Sequence, residues 1–196
     1  MGKGRLEAFT DGVIAIIITI MVLEIKVPQG TDLAALSASL PLLLTYALSF
    51  ANVGLFWNNH HHMLHATERI DGKVLWANLL LLFWMSLVPF VIRWIDEAGF
   101  VPAPVAAYGV VLACAAVSYT VLQAQIIAVN GRQSRLALAT GKDAKGKLSI
   151  ALYVAAVVLA FLRPWVAIVL YVTVALIWLV PDTRIESLVK RMGTPE

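Results

Sequence analysis

Charged residues are scarce in this chain of 196 residues: 14% are Asp, Glu, Lys or Arg, whereas 60% are hydrophobic. A soluble domain of average composition has about 25% charged residues. The mean hydropathy of +0.83 agrees with this scarcity. Composition therefore favours a polytopic membrane protein over a soluble globular domain.

Cysteine and the common catalytic patterns are also nearly absent. The single cysteine, Cys114, cannot form an intrachain disulfide or a cysteine-based metal site. The sequence shows no phosphate-binding glycine loop, no nucleophile beside a base and no paired acids typical of a catalytic cleft. The net charge of +3 does not by itself indicate a nucleic-acid partner. We therefore predict neither an enzyme nor a nucleic-acid-binding protein, and no resident cofactor.

Six hydrophobic segments follow one another along the chain, with lengths around the roughly 20 residues of a membrane-spanning helix. They cover residues 7–27, 33–60, 74–95, 104–130, 148–162 and 164–181. Pro164 separates the last two, which are predicted to form a helical hairpin, while Pro41 and Pro89 are expected to kink or interrupt their helices. The predicted fold is one all-α domain, residues 1–196, with six transmembrane helices.

Positive charges are distributed unevenly between the predicted loops. If the N-terminus is cytoplasmic, twelve of the 15 Lys and Arg residues lie on the cytoplasmic side, and Lys26, Arg93 and Arg163 lie opposite. The twelve are Lys3, Arg5, Arg69, Lys73, Arg132, Arg135, Lys142, Lys145, Lys147, Arg184, Lys190 and Arg191. This asymmetry indicates an N-in, C-in topology. The basic stretch 131–147 is then predicted to be a solvated cytoplasmic linker.

The N-terminus also permits a second interpretation, a cleavable signal peptide. Lys3 and Arg5 precede an apolar stretch, and the small residues ALSAS follow at 35–39. Glu7 and Asp11, however, stand where such a peptide is basic or apolar, and the polar break EIKVPQGTD separates the core from the cleavage site. A retained first transmembrane helix is therefore favoured.

The first segment is short for a spanning helix. Its charge-free run from Gly12 to Leu23 has 12 residues, which is about 18 Å of helix against roughly 30 Å of hydrocarbon. The charges at both ends are tolerable only if they face protein or water, so this helix is predicted to be interior. Ile16, Thr19, Ile20 and Leu23 form one stripe at helical spacing, which by itself favours a packing seam.

A histidine-rich run, FWNNHHHMLH, ends the second segment. Its Asn58, His61, His62 and His65 recur at helical spacing, which would place several polar groups on one flank. The spacing of His61 and His65 also allows a metal site, but no glutamate completes an HExxH pattern. Structural hydrogen bonds are favoured over zinc, and the metal interpretation stays open.

Three further polar or aromatic residues are predicted to lie at the depth of these histidines. Asp11 points about 140° around its helix from Ile16, so it needs a partner of its own. Trp76 and Asn78 open the third segment at the same cytoplasmic end. Together with the histidines, these side chains are expected to form a closed hydrogen-bond network between helices.

Three separated motifs, in this order, resemble one known family. Arg5 is followed after three residues by Phe9, Thr10 and Asp11, and then come the runs FWNNHHHMLH and LWANLLLLFWMSLVPF. They resemble the potassium-channel family of the lysosomal transmembrane protein 175, most closely its prokaryotic members, which have one six-helix unit per chain. The resemblance covers mainly residues 5–90. The family has serine where this chain has Thr10, and the hydroxyl is kept.

The resemblance implies a homotetramer in a bacterial plasma membrane, with the first helices lining a central cation pore. Ile16, five positions after the motif aspartate, is expected to form the narrowest ring. Thr19, Ile20 and Leu23 would line the same path. Glu24 and Asp32 are expected at the external mouth, where acids raise the local cation concentration.

The resemblance also implies a structural role for the motif. Arg5, Thr10 and Asp11 are expected to tie the first helix to the second and third. Their expected partners are His61, His62 or His65, Trp76 and Asn78, and the sequence leaves open which histidine contacts Asp11.

The leading prediction is a potassium-permeable cation channel with a hydrophobic constriction in place of a carbonyl filter, since the chain has no TVGYG-like loop. One alternative is an intramembrane metal-dependent enzyme or metal transporter that uses the cluster His60–His65. Another is a membrane scaffold without a transported substrate. The sequence leaves open the passage of other monovalent cations, the preference for K⁺ over Na⁺ and the gating stimulus.

Overall fold

A computed structural model describes residues 2–28, 30–141 and 143–179, and the secondary structure in these ranges is helical. The helices are α1 (Lys3–Leu23), α2 (Leu33–Ala38), α3 (Leu40–His65), α4 (Gly72–Ser86), α5 (Val88–Ala98), α6 (Pro102–Asn130), α7 (Arg135–Thr140), α8 (Ala144–Ala160) and α9 (Pro164–Leu179). Residues 180 and 181 of the predicted sixth segment lie outside the described residues, as do Lys142, Arg184, Lys190 and Arg191.

Two prolines divide the second and third predicted segments, as the sequence indicates. Pro41 lies in the first turn of α3, after the break that separates it from α2. Pro89 lies in the first turn of α5, after the break that ends α4. Proline lacks an N–H and its ring clashes with the carbonyl four residues earlier, but a first turn accommodates both features. The second segment also continues beyond its predicted end at residue 60, to His65.

The basic stretch 131–147 is not the continuous linker that its charge predicts. It contains α7 and the first turn of α8. The oxygen of Ser134 accepts a hydrogen bond from the N–H of Ala137 at 3.4 Å, and Asp143 Oδ1 accepts one from the N–H of Gly146 at 3.2 Å. These bonds satisfy N–H groups that the start of a helix leaves without partners. Local capping therefore orders a stretch whose charges suggest only solvation.

Four stretches of the described residues are long and apolar enough to cross a membrane. They are Lys3–Leu23, Leu40–His65, Gly72–Ala98 and Pro102–Asn130, and Pro164–Leu179 is a shorter apolar helix. The protein is therefore a multi-pass membrane protein. Six spans and the N-in, C-in topology stay predictions.

The long helix α6 forms the centre of the subunit and packs against α4, α5, α8 and α9. Its close approach to α9 depends on a residue without a side chain. The hydroxyl of Tyr171 donates to the carbonyl oxygen of Val105 at 3.0 Å, and a Cβ atom on Gly109 would overlap that hydroxyl. Helix α1 packs only on α3, α4 and α5 among the major contacts. One side of α1 is consequently not covered by the other described helices of the chain.

Candidate functional site

The uncovered side of α1 carries the stripe predicted from the sequence. Ile16 is 58% exposed, Ile20 is 40% exposed and Leu23 is 80% exposed. Thr19 is also exposed. Ile17, the next residue after Ile16, is only 3% exposed because it faces the core of the subunit. The spacing alone favours a packing seam, but no described helix of the same chain covers the stripe.

The hydroxyl on this stripe has a defined orientation. Thr19 Oγ1 donates a hydrogen bond to the carbonyl oxygen of Ile16 at 2.9 Å. The proton of the hydroxyl is therefore committed to the turn before it. The lone pairs of Thr19 Oγ1 stay available to a group that approaches from the exposed side, such as water or a cation.

The opposite side of α1 is fixed by a buried chain of hydrogen bonds across three helices. His60 Nε2 donates to Asn78 Oδ1 at 2.7 Å, and Asn78 Nδ2 donates to Thr10 Oγ1 at 2.9 Å. Thr10 and Asn78 have no exposed surface and His60 is 3% exposed. Polar groups at this depth are stable only when they are paired, so this network sets the position of α1 on α3 and α4.

The histidine in this network is none of the three predicted partners of Asp11. His61, His62 and His65 are exposed, whereas His60 is buried. A signal for His60 exists, because it follows the buried Val53 by seven residues and therefore lies on the same face of α3. His61 and His65 are also one helical turn apart, but they lie on the exposed face of α3.

Asp11 also has a different partner from the predicted histidine. Its Oδ1 accepts a hydrogen bond from Trp57 Nε1 at 2.8 Å, in an exposed position. Trp57 stacks on His61 with ring centroids 5.9 Å apart, and His61 stacks on His65 at 6.0 Å. The indole of Trp57 donates in place of the predicted imidazole. Trp57 lies one helical turn before His61, so both side chains are on the same face of α3.

Besides the three histidines and Asp11, three further residues of the predicted motif and network lie outside the buried hydrogen bonds. Trp76 is 75% exposed and Phe9 is 50% exposed. Arg5 is exposed as well. These three side chains lie on the surface of the chain.

The other end of α1 is tied to α5 by ion pairs. Arg93 lies 3.3 Å from Glu24 Oε2 and 3.1 Å from Glu97 Oε1, and Lys26 lies 3.0 Å from Asp96 Oδ2. The charge of Glu24 is thus partly balanced, which weakens its predicted contribution to the external mouth. Asp32, the other acid predicted there, is exposed.

In the part of the chain that the structure describes, no three His, Cys, Asp or Glu side chains converge to hold a metal ion. The pair His61 and His65 stays in place on the outer face of α3. Among the described residues no third ligand joins this pair, whereas zinc sites use three or four protein ligands.

Comparison with known proteins identifies the family. Residues 5–89 match the family model "Endosomal/lysosomal potassium channel TMEM175". A potassium channel of Chryseobacterium sp. strain P1-3 is 50% identical over 190 residues, which cover 97% of this chain and 99% of that protein. The chain belongs to the TMEM175 family of potassium channels. The recognition made from the three motifs is confirmed.

Other TMEM175 proteins show how far the likeness extends. A crystal structure of a lysosomal potassium-selective channel TMEM175 homologue from Chamaesiphon minutus covers 92% of this chain and 97% of its own, with a TM-score of 0.77 and 28% identity. The human protein "Endosomal/lysosomal proton channel TMEM175" is 41% identical over 96 residues, which cover 42% of this chain and 19% of the human protein. The TMEM175 family is a family of channels, so this protein is not an enzyme and the metal-dependent enzyme is set aside.

Proposed function

We propose that four copies of this chain form a potassium-permeable cation channel in the bacterial cell membrane, with α1 of each copy lining a central pore. The observation that carries the proposal is the exposed stripe of α1, opposite a face that is buried and hydrogen-bonded. An apolar face that its own chain leaves exposed must meet lipid, another copy of the chain or a pore. Membership of the TMEM175 family supports the pore.

The stripe supplies the two chemical elements that such a path needs. Four copies of Ile16 would form an apolar ring, which offers a partly dehydrated ion no polar atoms and can close the path by dewetting. One turn further, Thr19 presents hydroxyl oxygens whose protons are already committed to the helix. Oxygen lone pairs replace part of the water around a cation, so the ring of Thr19 favours an ion that loses water easily. Ile20 and Leu23 would continue the lining.

The proposal is tested with the purified protein. Native mass spectrometry should give four subunits, and liposomes containing the protein should pass K⁺ faster than Na⁺ and exclude N-methyl-D-glucamine. A monomer or dimer as the conducting species would contradict the tetramer. Equal passage of the large organic cation would contradict a narrow apolar constriction.

The ion pair between Arg93 and Glu24 leads to a prediction about the external mouth. Arg93→Gln should increase inward K⁺ flux at low ionic strength, because it leaves the Glu24 carboxylate without its balancing charge. We expect an increase of about twofold, which disappears at high salt where the field is screened. Flux in liposomes at low and high salt measures both effects.

The control for this prediction is the second partner of Arg93. The increase should be lost in the double variant Arg93→Gln, Glu24→Gln and kept in Arg93→Gln, Glu97→Gln. An increase that does not depend on Glu24 would show that its charge lies away from the ion path.

The hydrogen bond between Asp11 and Trp57 leads to a prediction about assembly. Asp11→Ala or Trp57→Phe should lower the fraction of assembled tetramer without changing ion preference, because the bond joins α1 to α3 off the stripe. Because this bond is exposed to water, we expect it to contribute about 0.5–1.5 kcal/mol, the range of an ordinary hydrogen bond. The double variant should therefore be no less stable than either single variant, as measured by thermal unfolding and size-exclusion chromatography.

Trp76→Phe is the matched control for Trp57→Phe. Trp76 is 75% exposed and is not bonded to Asp11, so its replacement should leave the coupling between positions 11 and 57 intact. Additive losses in the double variant would contradict the role assigned to this bond.

A further inference from the structure

A cavity of about 70 Å³ lies between α3, α6, α8 and α9, with Thr140 at the end of α7 also in its lining, and none of its lining residues belongs to α1. It runs beside the first three turns of α8, from Asp143 to Tyr153. It is therefore separate from the proposed ion path. Its chemistry is unlike that of a cavity left by imperfect packing, because carboxylate, amide and hydroxyl groups line it as well as rings.

Aromatic rings form the apolar part of the lining, from Phe56, Tyr119, Tyr153 and Trp178. Phe56 and Tyr119 pack edge to face with centroids 6.2 Å apart. The ammonium group of Lys145 lies 5.9 Å from the centroid of the Trp178 ring. The Trp178 ring thus already faces the ammonium group of a lysine, an arrangement that the negative face of an aromatic ring favours.

Several hydrogen-bond donors around the cavity are bonded within the protein. Asn59 Nδ2 donates to a carbonyl oxygen of its own helix at 2.8 Å, Gln123 Nε2 donates to Thr140 Oγ1 at 2.9 Å, and Trp178 Nε1 donates to Ser149 Oγ at 2.8 Å. Among the hydrogen bonds between described residues, the side-chain oxygens of Asn59 and Gln123 accept none. The lining therefore offers acceptor oxygens, and a ligand that brings donors would match them.

The one carboxylate of the cavity is held in a fixed position. Asp143 has a left-handed backbone, with φ of 44°, and its Oδ1 accepts from the N–H of Gly146 at 3.2 Å. A Cβ atom on Gly146 would come within 2.6 Å of Asp143 Oδ2. The absence of a side chain at Gly146 is what lets the carboxylate lie over the start of α8. Oδ2 takes no part in the capping bond and can accept from a ligand.

We propose that this cavity binds a small organic ammonium ion, with its N–H groups on Asp143 and the nearby amide oxygens and its carbon atoms on the aromatic rings. An ammonium group supplies donors and the charge that the carboxylate and the rings favour. Benzene fits an apolar cavity of about 150 Å³, so 70 Å³ suits a ligand of three or four heavy atoms. A soluble amine or the ethanolammonium headgroup of a phospholipid would both meet this description.

The test measures binding of n-propylammonium to the purified full-length protein by saturation-transfer NMR or calorimetry. 1-Propanol has the same number of heavy atoms but no charge, and we expect it to bind about tenfold more weakly, a difference of about 1.4 kcal/mol. Asp143→Asn should weaken n-propylammonium binding by about the same factor. Asparagine caps helices as well as aspartate does, so this variant removes the charge and keeps the cap.

Asp71→Asn is the matched control. Asp71 caps α4 in the same way, by accepting from the N–H of Val74 at 2.9 Å, and it does not line the cavity. This variant should bind n-propylammonium like the parent protein. Equal affinity for the amine and the alcohol, or unchanged affinity in folded Asp143→Asn, would overturn the proposal.

The two sources of the ammonium group are distinguished by competition. Displacement of n-propylammonium by added phosphatidylethanolamine, but not by phosphatidylglycerol, would assign the site to a lipid headgroup. Binding that neither lipid affects would assign it to a soluble amine. Binding is measured without ion flux, so the two proposals are tested independently. Failure of the channel proposal would not contradict the binding site, and failure of binding would not contradict the channel.

Discussion

Replacing Ile16 with Asn is expected to increase cation flux through the channel by about tenfold or more, a fall of about 1.4 kcal/mol in the barrier. Ile16 is the first residue of the stripe and its more exposed isoleucine. Four amides in place of four sec-butyl groups would let water fill the constriction and would offer polar atoms to a dehydrated ion. The increase should be largest for ions that the parent protein passes poorly, as measured in liposomes at equal protein incorporation.

Two conservative variants control for this result. Ile16→Val keeps the ring apolar and should conduct nearly like the parent protein. Ile17→Val changes a side chain that is 3% exposed within the subunit and should also have little effect on flux. Opening by a polar residue at position 17 but not at position 16 would show that the register of the pore stripe is wrong.

Replacing Asn78 with Leu is expected to leave most of the expressed protein molecules without a stable fold. Leucine has nearly the same volume, but it cannot accept from His60 Nε2 or donate to Thr10 Oγ1. Each buried polar group left without a partner costs about 1–3 kcal/mol, and the two losses together are comparable to a sizeable part of the stability of a typical domain. Thermal unfolding in detergent and the yield of folded protein measure the effect.

The control variant replaces the whole polar network with apolar side chains. His60→Leu combined with Asn78→Leu and Thr10→Val replaces every member of the network, and apolar replacement of all partners can be nearly neutral. The triple variant should therefore be more stable than Asn78→Leu alone. An Asn78→Leu variant with the same thermal unfolding midpoint as the parent protein would contradict the structural role of the network.

The sequence indicates the class of the protein and the stripe of α1 well, because composition and helical spacing are local properties. Ile16, Thr19, Ile20 and Leu23 share one face at any packing of the helix, and the structure leaves that face exposed. What the stripe contacts is not local. Spacing alone favours a packing seam, and only the likeness to the TMEM175 family indicated a pore.

The partners within the network could not be derived in the same way. The end of α3 carries four histidines, His60, His61, His62 and His65. Which of them is buried depends on the rotation of α3 against α4. The buried Val53 and Met63 on the face of His60 fix that rotation, and they outweigh the more conspicuous pair His61 and His65. Likewise, the caps at Ser134 and Asp143 decide the structure of 131–147, where the charge pattern suggests only a loop.

The central claim is that the exposed face of α1 lines the ion path, and cysteine scanning tests it most directly. The chain has a single cysteine, Cys114, so Cys114→Ala gives a background without thiols. Single cysteines at positions 16, 19, 20 and 23 should make K⁺ flux in liposomes sensitive to Ag⁺, whereas cysteines at 14, 17 and 21 should not. Block at 14, 17 and 21, with no block at the four stripe positions, would contradict the account.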